Sequence, residues 1–239
     1  LYDGRRITSE QRDEAKELAK RRLAGEPAQY ILNTACFYGY DFYTDRNVLI
    51  PRFDTEHLAE KAIEETKKLD SPFVLDLMTG SGAIACVIKL NCPNATVYAT
   101  DISEDALNVA RKNAETLGAD INFVLGSLFE PLGELKFDII CSNPPYIPTK
   151  DIEKLDGEVK DFEPMLALDG GEDGLKLYRE IALNAKNHLN EGGLVILELG
   201  IGQLDSVKEL FAADFEVESV KKDYNNPPVD RVLTLRLKK

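Results

Sequence analysis

A chain of 239 residues, 44% hydrophobic and 30% charged, can bury a full α/β core plus a short extra element, and no apolar run approaches a membrane span. With 42 acidic against 29 basic residues the formal charge is −13, a field that repels phosphate backbones and counts against non-specific nucleic-acid binding. Cys36, Cys86, Cys92 and Cys141 lack CxxC spacing, and His57 and His188 lie far apart. No metal site is therefore expected, and reduced, mostly buried thiols suit a cytoplasmic protein.

The opening Leu1-Tyr2-Asp3-Gly4-Arg5-Arg6 is no signal peptide, because no apolar stretch follows its basic residues, and it lacks an initiator Met, so an N-terminal part is expected to be missing. Residues 8–23 read as a charged helix, capped by Thr8 or Ser9 and ended by Gly25 and Pro27. An aromatic-rich hairpin is expected over 36–45, a brief extended segment over 48–51 and a helix over 54–68. Beyond Pro72 strands and helices alternate, with strands at 73–77, 95–100, 122–125, 137–141 and 193–199. Helices are expected at 83–90, 103–117, 174–189 and 203–212, and a closing antiparallel pair at 215–221 and 231–237. That alternation predicts a mostly parallel sheet with helices on both faces.

The first of these strands ends in Asp76-Leu77-Met78-Thr79-Gly80-Ser81-Gly82-Ala83-Ile84-Ala85. Gly80 and Gly82 allow positive φ and close approach of a ligand, and the free N–H groups of the helix that follows face the same crevice. Gly80-x-Gly82-x-x-Ala85 also fits a dinucleotide fingerprint, so the glycines alone do not separate a nicotinamide cofactor from S-adenosylmethionine. Asp101, about twenty residues on, can accept hydrogen bonds from both hydroxyls of a ribose, so turn and acid together indicate an adenosine cofactor.

The 137–141 strand runs into Ser142-Asn143-Pro144-Pro145-Tyr146, and this segment separates the alternatives. A delocalised amide or aromatic amine nitrogen is a poor nucleophile. Two acceptors aimed at its hydrogens, the Asn143 side-chain carbonyl and the Pro144 main-chain carbonyl, can turn its lone pair toward a methyl donor. Tyr146 offers a flat face to a planar group. These features point to nitrogen methylation with S-adenosylmethionine, whose sulfonium activates the methyl without a metal. Asn226-Pro227-Pro228 is followed by Val229 and reads as a loop.

From about Gly25 to Arg231 the chain resembles the release-factor glutamine N5-methyltransferases of the HemK/PrmC type, class I S-adenosylmethionine-dependent enzymes. The likeness rests on Gly25-Glu26-Pro27, Phe37-Tyr38-Gly39, Leu49-Ile50-Pro51-Arg52, the two loops above, Glu163-Pro164 with Leu166-Ala167-Leu168-Asp169-Gly170-Gly171-Glu172-Asp173-Gly174-Leu175, and Glu198-Leu199-Gly200 with Gln203. It implies a Rossmann-like α/β fold: a seven-stranded, mostly parallel sheet with an antiparallel last strand. Residues 1–30 then form a remnant of an N-terminal helical domain, 31–52 a β-hairpin linker and 53–239 the methyltransferase domain. The implied substrate is the glutamine amide in the Gly-Gly-Gln loop of bacterial peptide-chain release factors, methylated by a cytoplasmic, monomeric enzyme. Asn143, Pro144, Pro145 and Tyr146 are then catalytic. Asp76, Met78, Thr79, Gly80, Ser81, Gly82, Asp101, Ile102, Ser127, Leu128 and Asn143 line the cofactor.

Three departures predict weaker cofactor binding: Met78 where the family usually has glycine, Ser127-Leu128 where an acid usually reads the adenine amine, and Phe53-Asp54 for the usual Pro-Glu. The acidic 169–173 loop reads as a solvated border of the substrate groove. The rival readings are methylation of an exocyclic base amine in DNA or RNA, against which the acidic charge counts, and a cofactor-binding module without activity.

Overall fold

The computed structural model describes residues 7–224 and 227–239; the opening hexapeptide and Asn226 of the second Asn-Pro-Pro lie outside them. Helix α1 (Ser9–Leu23) starts in a capping box, the Thr8 hydroxyl accepting from the Gln11 amide at 3.1 Å and Gln11 Oε1 from the Thr8 amide at 3.0 Å. After α2 (Ala28–Leu32), strands β1 (Ala35–Phe37) and β2 (Tyr40–Phe42) pair antiparallel. They join through Tyr38 and Gly39, both left-handed at φ 52° and 79°, the pair of angles a tight hairpin turn demands. A 3-10 turn, Phe53–Thr55, feeds α3 (Glu56–Thr66).

The main body then runs β3 (Phe73–Leu77), α4 (Ala83–Asn91), β4 (Thr96–Asp101), α5 (Glu104–Leu117), β5 (Ile121–Leu125) and β6 (Phe137–Ser142). It continues through the single turn α6 (Gly157–Lys160) to α7 (Lys176–Asn184), β7 (Leu189–Glu198), α8 (Leu204–Phe211), β8 (Phe215–Lys222) and β9 (Asp230–Leu237). The sheet order is β5-β4-β3-β6-β7-β9-β8, with only β9 running against the rest. The expected seven-stranded sheet with its antiparallel last strand is therefore borne out. The chain winds outward from β3 in one direction and from β6 in the other, which opens a crevice between their carboxyl ends.

Alternation along the central strands builds two cores. Val74, Val97, Ile139 and Ile196 pack with Leu58, Ala62 and Ile88, from α3 and α4, on one face. Leu75, Ile140, Val195 and Leu197 pack with Tyr178, Ile181 and Phe211, from α7 and α8, on the other. Successive residues go to opposite faces because a strand repeats every two residues, and each fully buried aliphatic contributes roughly 1.5–3 kcal/mol.

Two expectations need correction. The helix expected over 174–189 is α7 alone, tightened at its end into a 3-10 turn, Ala185–His188. It stops there because Leu189 already pairs with Phe137, so β7 begins four residues before Gly193 and absorbs a bulge before Leu194 meets Ile139. No helix among the described residues is long and apolar enough to cross a membrane.

Candidate active site

The candidate cofactor residues gather at the carboxyl ends of β3, β4 and β5, because the register sets Leu77 beside Thr100 and Asp101 beside Leu125. Asp76 is fully buried; its Oδ2 accepts from the Thr79 hydroxyl at 2.6 Å and the Ala85 amide at 3.2 Å. Its Oδ1 is buried with no hydrogen-bond partner among the described residues. Burial pushes this carboxyl up to about 7, against the pull of the Thr79 and Ala85 donors.

Asp101 accepts from the Gly80 amide and the Ser103 amide, each at 2.9 Å, and its main-chain carbonyl accepts from the Gly126 amide at 3.0 Å. Ser103 caps α5, its hydroxyl accepting from Ala106 at 3.2 Å, so Asp101 is not the cap. Each Asp101 oxygen keeps a lone pair for a further donor. The glycines of the turn divide their work. A Cβ on Gly80 would meet nothing within 4 Å, leaving room for a ligand, whereas one on Gly82 would sit 3.0 Å from the Ala110 Cβ, so Gly82 serves the packing of α4 on α5.

Met78 holds φ 57° and Leu128 φ 47°, both unusual for residues with side chains, and Ile102 is exposed beside Asp101. Ser127 closes a tight turn, its carbonyl accepting from the Glu130 amide at 3.0 Å. A buried acceptor without a donor, an acid with spare lone pairs and open space at Gly80 together suit a ligand that has a cationic head and a ribose.

Asn143-Pro144-Pro145-Tyr146 leaves β6 next to this turn, since Leu77 pairs with Ser142. Pro144 and Pro145 are buried; Asn143 and Tyr146 are half-buried. The Asn143 Nδ2 donates to the Thr55 hydroxyl at 3.1 Å, which leaves its Oδ1 as the free acceptor. The Tyr146 hydroxyl donates to Glu198 Oε1 at 3.3 Å, and burial with the nearby Glu198 charge raises its phenol above the usual range. Glu198 itself, fully buried at the end of β7, is pushed up by burial to about 7, while Thr55, Arg231 and Tyr146 draw it down.

The acidic, glycine-broken segment after α6 braces this loop rather than merely bordering a groove. Ile147 donates to Leu168, Gly170 to Ile147 and Thr149 to Gly171, at 2.9–3.1 Å, forming a short parallel bridge. Asp169 accepts from the Thr149 hydroxyl at 2.7 Å, and Asp173 pairs with Arg179. Gln203 Nε2 donates to the Tyr146 carbonyl at 2.9 Å and the Gly174 carbonyl at 3.3 Å, while its Oε1 accepts from Gly200 at 3.0 Å. Side chains at Gly170, Gly174 or Gly200 would strike Tyr146, with a Cβ on Gly174 only 2.4 Å from its carbonyl oxygen.

Sequence reasoning gave no role to Thr55, Glu198 or Gln203. Their positions beside the Ile-Pro-Arg and Glu-Leu-Gly runs were the available signal, but contacts across 88 and 52 residues are not written in local spacing. His57 and His188 stay outside the site: His57 lies against Phe53 and Tyr224, and His188 stacks on Phe129 with ring centroids 4.8 Å apart.

A doubly wound sheet with a glycine turn, an acid ending the next strand and an Asn-Pro-Pro-Tyr loop at the switch point is the architecture of an α/β methyltransferase. Residues 55–156 match the family model described as Methyltransferase small domain, and residues 1–32 the PrmC N-terminal domain. The fold is shared with a methyltransferase from Pyrococcus furiosus, at a TM-score of 0.62 and 21% identity over 95% of this chain and 98% of that one. It is shared too with a ribosomal protein L11 methylase from Lactobacillus delbrueckii subsp. bulgaricus, at a TM-score of 0.58 and 24% identity, covering 79% of this chain and 81% of that one.

The chain belongs to the release factor glutamine methyltransferase family. It is 48% identical over 195 residues to the release factor glutamine methyltransferase of Geobacter sulfurreducens, covering 82% of this chain and 68% of that protein. It is 41% identical over 237 residues to that of Thermodesulfovibrio yellowstonii, covering 98% of this chain and 84% of that protein.

Proposed function

We propose that this protein transfers a methyl group from S-adenosylmethionine to the side-chain nitrogen of the glutamine in the Gly-Gly-Gln loop of a peptide-chain release factor. The observation that carries the chemistry is the Asn143 carboxamide, whose Nδ2 is already committed to Thr55, so that its Oδ1 is the atom left to accept from a substrate N–H. The substrate rests on membership of the family. A cytoplasmic, monomeric enzyme goes with this reading, as does the division into an N-terminal segment over 1–30, a hairpin linker over 31–52 and a catalytic domain over 53–239.

Asp76 would hold the cationic amino end of the cofactor and Asp101 its ribose, with Met78, Thr79, Gly80, Ser81, Gly82, Ile102, Ser127 and Leu128 around it. When bound, the cofactor supplies a methyl on sulfur that is activated for displacement without a metal. Asn143 Oδ1 and the Pro144 carbonyl take the two amide hydrogens and turn the nitrogen lone pair outward. Tyr146 lies flat against the amide, and the brace from Gly170 to Gly174 fixes its height. Transfer would form one nitrogen–carbon bond in place of the sulfur–carbon bond, and the nitrogen, acidic once alkylated, would release its extra proton to water. Positioning of this kind supplies several kcal/mol.

A substrate panel tests the reading. The protein with labelled cofactor is offered a release factor, adenine-containing DNA and RNA oligonucleotides, and the release factor with its motif glutamine replaced by alanine. Label only on the unaltered release factor supports the proposal. Label on an oligonucleotide amine would replace it with the base-amine reading, which the net charge of −13 disfavours.

A further inference from the structure

Thr55 stands at the junction of the 3-10 turn and α3, 6% exposed, and faces Asn143 on the loop after β6 and Glu198 at the end of β7. Its hydroxyl accepts from Asn143 Nδ2 at 3.1 Å, and it lies close enough to the Glu198 carboxyl to favour the charged form. We propose that Thr55 is a positioning residue that fixes which end of the Asn143 carboxamide faces the substrate, with Glu198 setting the direction of its hydroxyl. This rests on the reading of Asn143 as a substrate acceptor.

A threonine hydroxyl has one proton and two lone pairs. Facing an asparagine alone, it could donate to Oδ1 or accept from Nδ2, and the carboxamide could sit either way round. The nearby Glu198 carboxylate is acceptor-only when ionised, and its Oε2 is buried with no hydrogen-bond partner among the described residues, so it draws the hydroxyl proton toward itself. What remains for Asn143 is a lone pair, which only the NH₂ end can use. Oδ1 is therefore turned away from Thr55, as an acceptor of substrate hydrogens requires. A flipped carboxamide would present donors to an amide that must itself donate.

The surroundings of Glu198 keep this arrangement dependent on its charge. Tyr146 donates to Oε1 at 3.3 Å, and Tyr178 donates to the Glu198 main-chain carbonyl at 2.7 Å. Arg231 favours the carboxylate, and Asp54 opposes it. Arg231 is itself held by Asp223 at 3.0 Å and Asp54 at 3.2 Å. Once protonated, Glu198 can donate to the Thr55 hydroxyl and free that proton for Asn143 Oδ1. Burial raises Glu198 to about 7, so the switch lies in a measurable range.

The test compares Thr55→Val, isosteric but without the hydroxyl, with Thr55→Ser, which keeps it. Thr55→Val is expected to lower kcat for release-factor methylation about 10- to 100-fold. Its KM for the release factor and its calorimetric affinity for S-adenosylmethionine are expected to stay within about twofold, and Thr55→Ser to recover most of the rate. Wild-type kcat is expected to rise through about pH 7, and the Thr55→Val profile to be flat there. A Thr55→Val kcat within twofold of wild type, or equal losses in both variants, would overturn the proposal. The ¹⁵N side-chain amide pair of Asn143, assigned by its loss in Asn143→Ala, decides the matter separately from turnover. It is expected to be shifted and slow to exchange in wild type and Thr55→Ser, and averaged in Thr55→Val. An unchanged pair in Thr55→Val overturns the role of Thr55 even if release-factor methylation stands. Absent wild-type methylation with the expected amide shifts removes the proposed substrate and leaves the orientation intact.

Discussion

Replacing Gly174 by alanine tests the brace beneath the Asn-Pro-Pro-Tyr loop. A Cβ there would lie 2.4 Å from the Tyr146 carbonyl oxygen and 2.7 Å from Gln203 Nε2, and Gly174 holds φ +76°. Two costs add. The left-handed backbone costs an alanine about 1 kcal/mol, and forcing atoms into a packed site costs about 1–3 kcal/mol. The clash falls on main chain, which cannot swing aside as a flexible side chain can, so Tyr146 must move with it. Gly192 is the control, because at φ +71° with nothing within 4 Å of its Cβ it carries the first cost alone. Urea unfolding is expected to show Gly174→Ala destabilised by roughly 2–4 kcal/mol and Gly192→Ala by about 1 kcal/mol. In methyl transfer, Gly174→Ala is expected to lose about 10- to 100-fold in kcat and Gly192→Ala almost nothing. Equal destabilisation of the two variants, with unchanged turnover in both, would refute the brace.

The pairing of Met78→Gly with Ser127→Asp removes a left-handed methionine and supplies a carboxylate beside the cofactor crevice, so the double variant is expected to bind S-adenosylmethionine more tightly in calorimetry; equal affinities would show that neither departure weakens binding. Stability should also depend on the pH of the buried acids. Glu198 rises from 4.5 in the free side chain to about 7 when folded, so its contribution is full below about 4.5 and lost as pH rises through about 7. Relative to Glu198→Gln, wild type is expected to lose roughly 3 kcal/mol of unfolding free energy between pH 4.5 and 8, and a gap independent of pH would contradict the burial argument.

The parallel body was legible because β3, β4 and β6 are compact apolar runs punctuated by glycine, aspartate and proline, which are local signals. The acids Asp76 and Asp101 of the candidate cofactor crevice and the Asn-Pro-Pro-Tyr loop were legible for the same reason, since strand ends in a doubly wound sheet fall at one edge. The end of α7 was not, because Leu189 is drawn into the sheet by Phe137 more than fifty residues away, against a helical periodicity that runs on. Gly82 looked like a ligand glycine, but its constraint comes from Ala110 on the next helix. The segment from Leu166 to Leu175 was recognisable as a pattern, and its acidic part read only as a solvated border of the substrate groove. Its meaning lies in the bridge between Ile147 and Asp169 and in Gln203 reaching Tyr146, both tertiary contacts. Thr55 and Glu198 meet Asn143 and Tyr146 across 88 and 52 residues, which no window of sequence contains.

The most direct measurement is single-turnover transfer of labelled methyl to a release factor by wild type and by Asn143→Ala, with the label located by peptide mass spectrometry and cofactor affinity measured alongside. The account predicts label on the Gly-Gly-Gln glutamine and, with cofactor saturating by its measured affinity in each protein, a rate lower by about 10²- to 10³-fold in Asn143→Ala. Label on another residue, or a variant as fast as wild type, would contradict it.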